Sequence, residues 1–102
     1  MATLHHNITG ELTQELLAAG DSASISKMSL SNIEGTNFCT VDLYIEKKLT
    51  GKFYLMKGVS LPVGATLVHD GVKFNNKTDE FGLYIKLTKG ASETPAVDVI
   101  LL

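Results

Sequence analysis

Hydrophobic and polar residues alternate almost without a break over residues 38–49. Every second position from 39 to 45 is apolar, and the positions between are polar or aromatic; we call each set of alternate positions one parity of the strand. The apolar parity here consists of Cys39, Val41, Leu43 and Ile45. A period of two is that of a β-strand with one face in a core and the other facing solvent. The pattern therefore predicts a half-buried strand.

The same period returns at residues 81–87 and 97–101, and shorter apolar runs lie between turn signals. Such spacing is typical of a chain built from many short strands. The further predicted strands are 4–9, 22–33 with a bulge near Ser26-Lys27, 52–56 after a hairpin turn at Thr50-Gly51, 58–67 broken at Pro62, and 72–75. The predicted turns and loops are 34–37, Asp70-Gly71, 75–79 and 89–95.

Residues 11–19 fit two structures. Leu12, Leu16 and Ala19 recur at helical spacing, and Gly20 would suit the end of a helix. The alternative is a strand that turns at Gly20. We favour the strand, because all the sequence that follows is predicted to be β.

These elements predict an all-β fold: a single-domain antiparallel β-sandwich, jelly-roll or Ig-like, of about eight short strands. The chain has 102 residues, which suits one domain over 1–102. Residues 1–20 are the least defined part and could instead form an arm or a short helix.

Charge and composition argue against several functions. All nine basic residues are lysine, and the net charge is −2. Because arginine is the usual reader of phosphates and guanine, we expect no nucleic-acid partner. No apolar run is long enough to span a membrane, and residues 1–6 lack the charged segment and apolar run of a signal peptide, so we expect no membrane partner. Cys39 is the only cysteine, and its inward parity predicts a core thiol.

No pattern points to catalysis or to a metal site. His5 and His6 are neighbours in a predicted strand and would point to opposite faces. Asp79 and Glu80 lie in a predicted loop without the oxygen-rich pattern of a calcium site. No serine stands in a Gly-x-Ser-x-Gly elbow. We therefore expect no enzyme, no cofactor and no metal.

The outward parity carries an unusual number of apolar and aromatic residues, which are typical of a protein interface. The last strand is apolar on both faces, as in strands that are covered on both sides. The candidate interface residues are Phe38, Tyr44, Tyr54, Met56, Tyr84, Ile100 and Leu102. The alternative is that loops of the same chain cover these side chains.

Three segments in this order resemble a known group of proteins. They are Ser22 to Asn32, the Phe-Cys-Thr-Val-Asp-Leu-Tyr-Ile strand at 38–45, and residues 53–67 with their Leu-Pro-Val-Gly-Ala-Thr-Leu end. The order resembles the small β-sandwich structural proteins of tailed bacteriophages, especially those of marine and cyanobacterial hosts. The resemblance covers residues 20–102 and rests on packing and turn signatures.

The resemblance implies a virion structural protein, assembled in the host cytoplasm, most often a capsid decoration or cement protein in many copies. Its implied partners are the major capsid protein or other virion proteins, and we expect a homo-oligomer. Two alternatives remain: a neck or tail subunit, and a carbohydrate- or receptor-binding module on a fibre. The latter would use exposed tyrosines with Asn75, Asn76 and Asp79.

Overall fold

Eight β-strands make up the computed structural model of the chain, which describes residues 5–11, 13–18, 24–47, 51–75 and 81–102. Within these ranges no helix is long and apolar enough to cross a membrane. The strands are β1 (His5–Thr9), β2 (Gln14–Leu17), β3 (Ser24–Asn32), β4 (Cys39–Lys47), β5 (Gly51–Leu61), β6 (Thr66–Asn75), β7 (Gly82–Lys89) and β8 (Ala96–Leu101).

The strands form two four-stranded antiparallel sheets. Sheet A has the order β1-β8-β3-β6, and sheet B has the order β2-β7-β4-β5. Consecutive strands mostly lie in different sheets, and β8 returns to lie between β1 and β3. This is the strand order of an eight-stranded jelly roll. The predicted β-sandwich is confirmed, and the topology selects the jelly roll over the Ig-like alternative.

The inward parity of each strand builds the core between the sheets. Cys39, Val41 and Leu43 are fully buried, as their alternation predicted. The inward residues of β7 and β8 meet them there: Leu83, Ile85, Leu87, Val97, Val99 and Leu101. Burial, and then the charges of Glu93 and Glu34, raise the pKa of the Cys39 thiol, so it stays protonated and packs as a small apolar group.

Bulges or register shifts interrupt the pairing of several strands, β3 and β5 among them. In β3 the backbone N–H groups of Ser26 and Lys27 both donate to the Leu102 carbonyl, at 2.9 and 3.1 Å, which confirms the predicted bulge. In β5 the register shifts twice, at Leu55 and opposite Asp42. There Gly58 has φ +65°, and its N–H donates to Asp42 Oδ1 at 2.7 Å. A side chain would be strained at this φ.

The predicted loops at 34–37 and 89–95 lie between strands, with Lys89 still in β7, whereas the predicted turns at Thr50-Gly51 and 75–79 lie partly outside the described residues. Residues 34–37 form a turn in which the Glu34 carboxylate accepts backbone N–H groups from Thr36 and Asn37 at 2.9 and 2.7 Å. These donors hold the pKa of Glu34 below its ordinary value. The chain crosses from sheet B to sheet A at Pro62, where no ladder hydrogen bond is needed.

The predicted turn at Asp70-Gly71 is wrong, since β6 runs through both residues and stays paired with β3. Between two successive pairs of the register, β6 has more residues than β3. Gly71 lies in this irregular stretch of β6. Gln14–Leu17 is a strand paired with β7, the alternative that we favoured for this segment. Leu12, Ala19, Gly20, Thr50 and residues 76–80 lie outside the described residues.

Gly90 is expected to reject alanine. A Cβ at this position would lie 2.6 Å from the Phe38 carbonyl oxygen and 2.9 Å from its ring. Because a backbone atom cannot move aside cheaply, Gly90→Ala should cost about 1–3 kcal/mol in the free energy of unfolding. Urea denaturation measures the change. Gly35→Ala is the matched control, since no heavy atom lies within 4 Å of its Cβ position. Equal stability of the two variants would contradict the predicted clash.

Candidate functional site

All three tyrosines of the chain meet on the outer face of sheet B. The register places Glu15, Tyr84, Tyr44 and Tyr54 side by side across β2, β7, β4 and β5. The Tyr44 and Tyr84 rings are stacked with centroids 5.5 Å apart, and the Tyr44 and Tyr54 centroids are 5.3 Å apart. We call these three residues the tyrosine ladder. Its rings brace one another in fixed positions.

Lysine ammonium groups lie against two of these rings. Lys52 Nζ is 4.8 Å from the Tyr44 centroid, and Lys57 Nζ is 4.4 Å from that of Tyr54. Both distances are within the range of cation–π attraction. Tyr44 is therefore only 5% exposed although it points outward, whereas Tyr54 is 43% exposed. The stacking surface that a sugar ring would need on Tyr44 is already covered.

The Tyr84 end of the ladder is fixed by a glycine and a carboxylate. A Cβ on Gly82 would come within 2.9 Å of the Tyr84 ring, so the ring lies where a side chain would otherwise stand. The Tyr84 hydroxyl donates to Glu15 Oε2 at 3.3 Å. Burial and then the Glu15 carboxylate raise the pKa of Tyr84, which keeps the hydroxyl neutral as a donor.

The charged side chains of this face are sorted by strand. Among the described residues, the outward charges are acidic in β2 and β4 and basic in β7 and β5. The acidic residues are Glu15, Asp42 and Glu46, and the basic residues are Lys86, Lys52 and Lys57. The face is therefore neutral as a whole, with a sign that alternates from strand to strand.

The outer face of sheet A carries a second apolar cluster. Ile100, Val68 and Leu102 are 46%, 54% and 58% exposed. Ile100 pairs with Ser29 of β3, which in turn pairs with Val68 of β6. We call these three apolar residues the sheet A patch.

The seven candidate interface residues therefore do not form one surface. Three make the tyrosine ladder, and two belong to the sheet A patch on the opposite side of the sandwich. Phe38 lies just before β4, against Gly90. The prediction that Met56 faces outward is wrong. The register shift at Leu55 reverses the parity of β5 before Met56. Met56 therefore pairs with the buried Leu43 and packs against the core.

Among the described residues, no group of three or more His, Cys, Asp and Glu side chains could hold a metal ion. His5 and His6 alternate between the two faces of β1, as predicted. Sequence reasoning missed the lysine and carboxylate partners of the tyrosines, because the two lysines come from β5 and Glu15 from β2, and only the paired and bulged strands bring them to the rings.

Neither a protein-family profile nor a curated protein sequence matches the chain, but solved structures do. PirA has a TM-score of 0.66 at 11% identity, over 100% of this chain and 96% of its own. The Yersinia pseudotuberculosis-derived mitogen has a TM-score of 0.57 at 10% identity, over 99% of this chain and 86% of the mitogen. A chain in the structure of infectious bursal disease virus, Gt strain, has a TM-score of 0.59 at 11% identity, over 98% of this chain and 30% of the viral chain.

At these identities the likeness shows a shared fold. The same β-sandwich occurs in a mitogen of nearly the same length and as a part of a longer chain in a virus.

Proposed function

We propose that the chain is a non-enzymatic virion structural protein of a tailed phage, and that it decorates the head surface in many copies. Its partner is then the major capsid protein or another virion protein, and its location is the virion, after assembly in the host cytoplasm. The proposal is supported by the resemblance over residues 20–102 and by a fold that also occurs in a virus.

The observation that carries the proposal is the sheet A patch. Three aliphatic side chains, each about half exposed, lie on the outer face of sheet A, and Ser29 lies between Ile100 and Val68. Exposed apolar clusters on a rigid surface are typical of sites that bind another protein. A contact of this kind needs no catalytic group, and it suits a protein held in place by shape and apolar burial.

The covered rings of the tyrosine ladder favour this role over a carbohydrate-binding module. A sugar platform presents an open aromatic face, whereas Tyr44 is enclosed by two rings and a lysine. Of the amides considered as sugar ligands, Asn75 ends β6 in the other sheet, and Asn76 lies outside the described residues.

Quantitative mass spectrometry of gradient-purified virions tests the proposal. A copy number comparable to that of the major capsid protein supports decoration of the head. A few copies per particle would move the assignment to a neck, tail or fibre subunit. Absence of the chain from purified virions would overturn a virion role.

Attachment to empty heads is expected to depend on Ile100. Ile100→Lys places a charge in the centre of the sheet A patch and should weaken co-sedimentation with purified heads by about tenfold or more. Val63→Lys is the matched control, because Val63 is 45% exposed and lies outside the patch, in the turn between β5 and β6. Thermal unfolding of both variants should stay close to wild type. Equal binding by the two variants would place the contact elsewhere.

A further inference from the structure

The outer face of sheet B has the properties of a surface that pairs with itself. We propose that it binds a second copy of this chain about a two-fold axis parallel to the strands. The pairing does not depend on the proposed virion role, because it follows from the charge order and the fixed rings of the face.

The charge order decides between the two ways of placing this face against itself. Across the sheet, the outward charges are negative in β2, positive in β7, negative in β4 and positive in β5. A two-fold axis perpendicular to the strands would lay each strand over its own copy and bring like charges together. A two-fold axis parallel to the strands lays β2 over β5 and β7 over β4. Only the parallel axis gives opposite signs at every facing pair of strands.

The register then sets which residues oppose one another. Glu15 of one copy comes opposite Tyr54 of the other, where the Lys57 ammonium lies against the ring. Asp42 and Lys86 are side by side in one sheet, so Lys86 of one copy opposes Asp42 of the other. The symmetry repeats both contacts, and it places the Tyr84 of each copy opposite the Tyr44 of the other.

The face is already ordered before it binds. The three rings and two lysines hold one another, and Asp42 is fixed by the Gly58 N–H at 2.7 Å. Fixed side chains lose little conformational entropy on association, so more of the contact energy remains as affinity. Aromatic residues in the centre with charges around them are also the usual composition of a protein interface.

The area of the face sets the strength of the pairing. The four strands of sheet B have 4, 8, 9 and 11 residues, and at about 3.3 Å per residue and about 4.8 Å between strands they give a face of roughly 500 Å² per copy. Two copies would bury about 1,000 Å², the lower bound for a specific interface. We therefore expect a weak, reversible dimer in solution, which a high local concentration would strengthen.

Sedimentation equilibrium of the purified chain, in low salt and over concentrations up to about 1 mM, tests the proposal. Wild type should move from the 11.0 kDa of one chain towards twice that mass as concentration rises. Glu15→Lys places a basic side chain opposite Lys57 of the second copy, and Lys57→Glu places an acidic side chain opposite its Glu15. Each variant alone should lose at least about tenfold in dimer affinity through like-charge repulsion. An equimolar mixture should regain the dimer, because each variant then faces its complement.

Controls separate this pairing from other causes. Ile100→Lys changes the charge of the opposite sheet and should dimerise as wild type does. Circular dichroism should show that each variant keeps its β-structure. Wild type that stays a monomer at all concentrations would overturn the proposal. So would variants that dimerise like wild type, or a mixture that stays monomeric. A monomeric wild type whose attachment to heads is lost in Glu15→Lys would assign this face to the capsid instead.

Discussion

Val41→Asp is expected to lower the free energy of unfolding by about 3–5 kcal/mol, because it places an unpaired carboxylate between the sheets. Val41 is fully buried in β4, with β5 on one side and β7 on the other. Small domains are stable by only about 5–15 kcal/mol, so the variant should be partly unfolded at room temperature or melt far below wild type. Thermal and urea denaturation followed by circular dichroism measure the loss.

Val68→Asp is the matched control for this variant. It makes the same substitution within a strand, but Val68 is 54% exposed on the outer face of sheet A. A carboxylate there remains hydrated, so the change should stay within about 1 kcal/mol of wild type. Comparable losses in the two variants would show that the parity assigned to β4 is wrong.

Asn32→Ala is expected to cost about 2–3 kcal/mol, because Asn32 links the two sheets through its side chain. Its Nδ2 donates to the carbonyls of Leu61 and Asn37 at 3.0 and 3.1 Å, and its Oδ1 accepts the Glu34 N–H at 3.0 Å. Asn32 is 3% exposed. Alanine would leave the buried Leu61 carbonyl without this partner, and an unsatisfied buried polar group costs about 1–3 kcal/mol.

Two comparisons isolate the role of the Asn32 amide. Asn7→Ala removes an exposed asparagine whose Nδ2 donates to Asp98 at 2.6 Å, and it should change stability by about 0.5 kcal/mol or less. Asn32→Asp keeps the volume and the acceptor but replaces the donor, so it should not restore stability. A fully stable Asn32→Asp would show that packing, and not the donated hydrogen bonds, holds this corner of the fold.

Most strands could be predicted from the sequence because their inward residues alternate. Cys39, Val41 and Leu43 are buried as their parity required, and β7 and β8 follow the same pattern. The prediction failed where local signals were ambiguous. Asp70-Gly71 has the composition of a turn, yet β6 continues through it, because Asp70 pairs with Lys27 and Phe74 with Ile25 of β3, and this tertiary pairing overrides a weak turn preference.

The candidate interface residues show where alternation along a strand is not enough to assign a side chain to the inner or the outer face. Parity assumes an unbroken strand, so the register shift at Leu55 turned Met56 towards the core although Tyr54 faces outward. The sequence also contains no sign that Asn32 would be the polar link between the sheets, because its partners Leu61 and Asn37 meet it only in the folded chain.

Alternation along the chain by itself determined that this protein is a β-sandwich and which side of most strands is buried, because the pleat fixes the facing of neighbouring side chains. Only the tertiary structure decided which outward residues lie together. In a jelly roll, neighbouring strands come from distant parts of the chain, so Tyr44, Tyr54 and Tyr84 meet on one sheet while Ile100 and Leu102 lie on the other. The order of strands, and with it the alternation of charge across sheet B, is a property of how the sheets pair and not of any one segment.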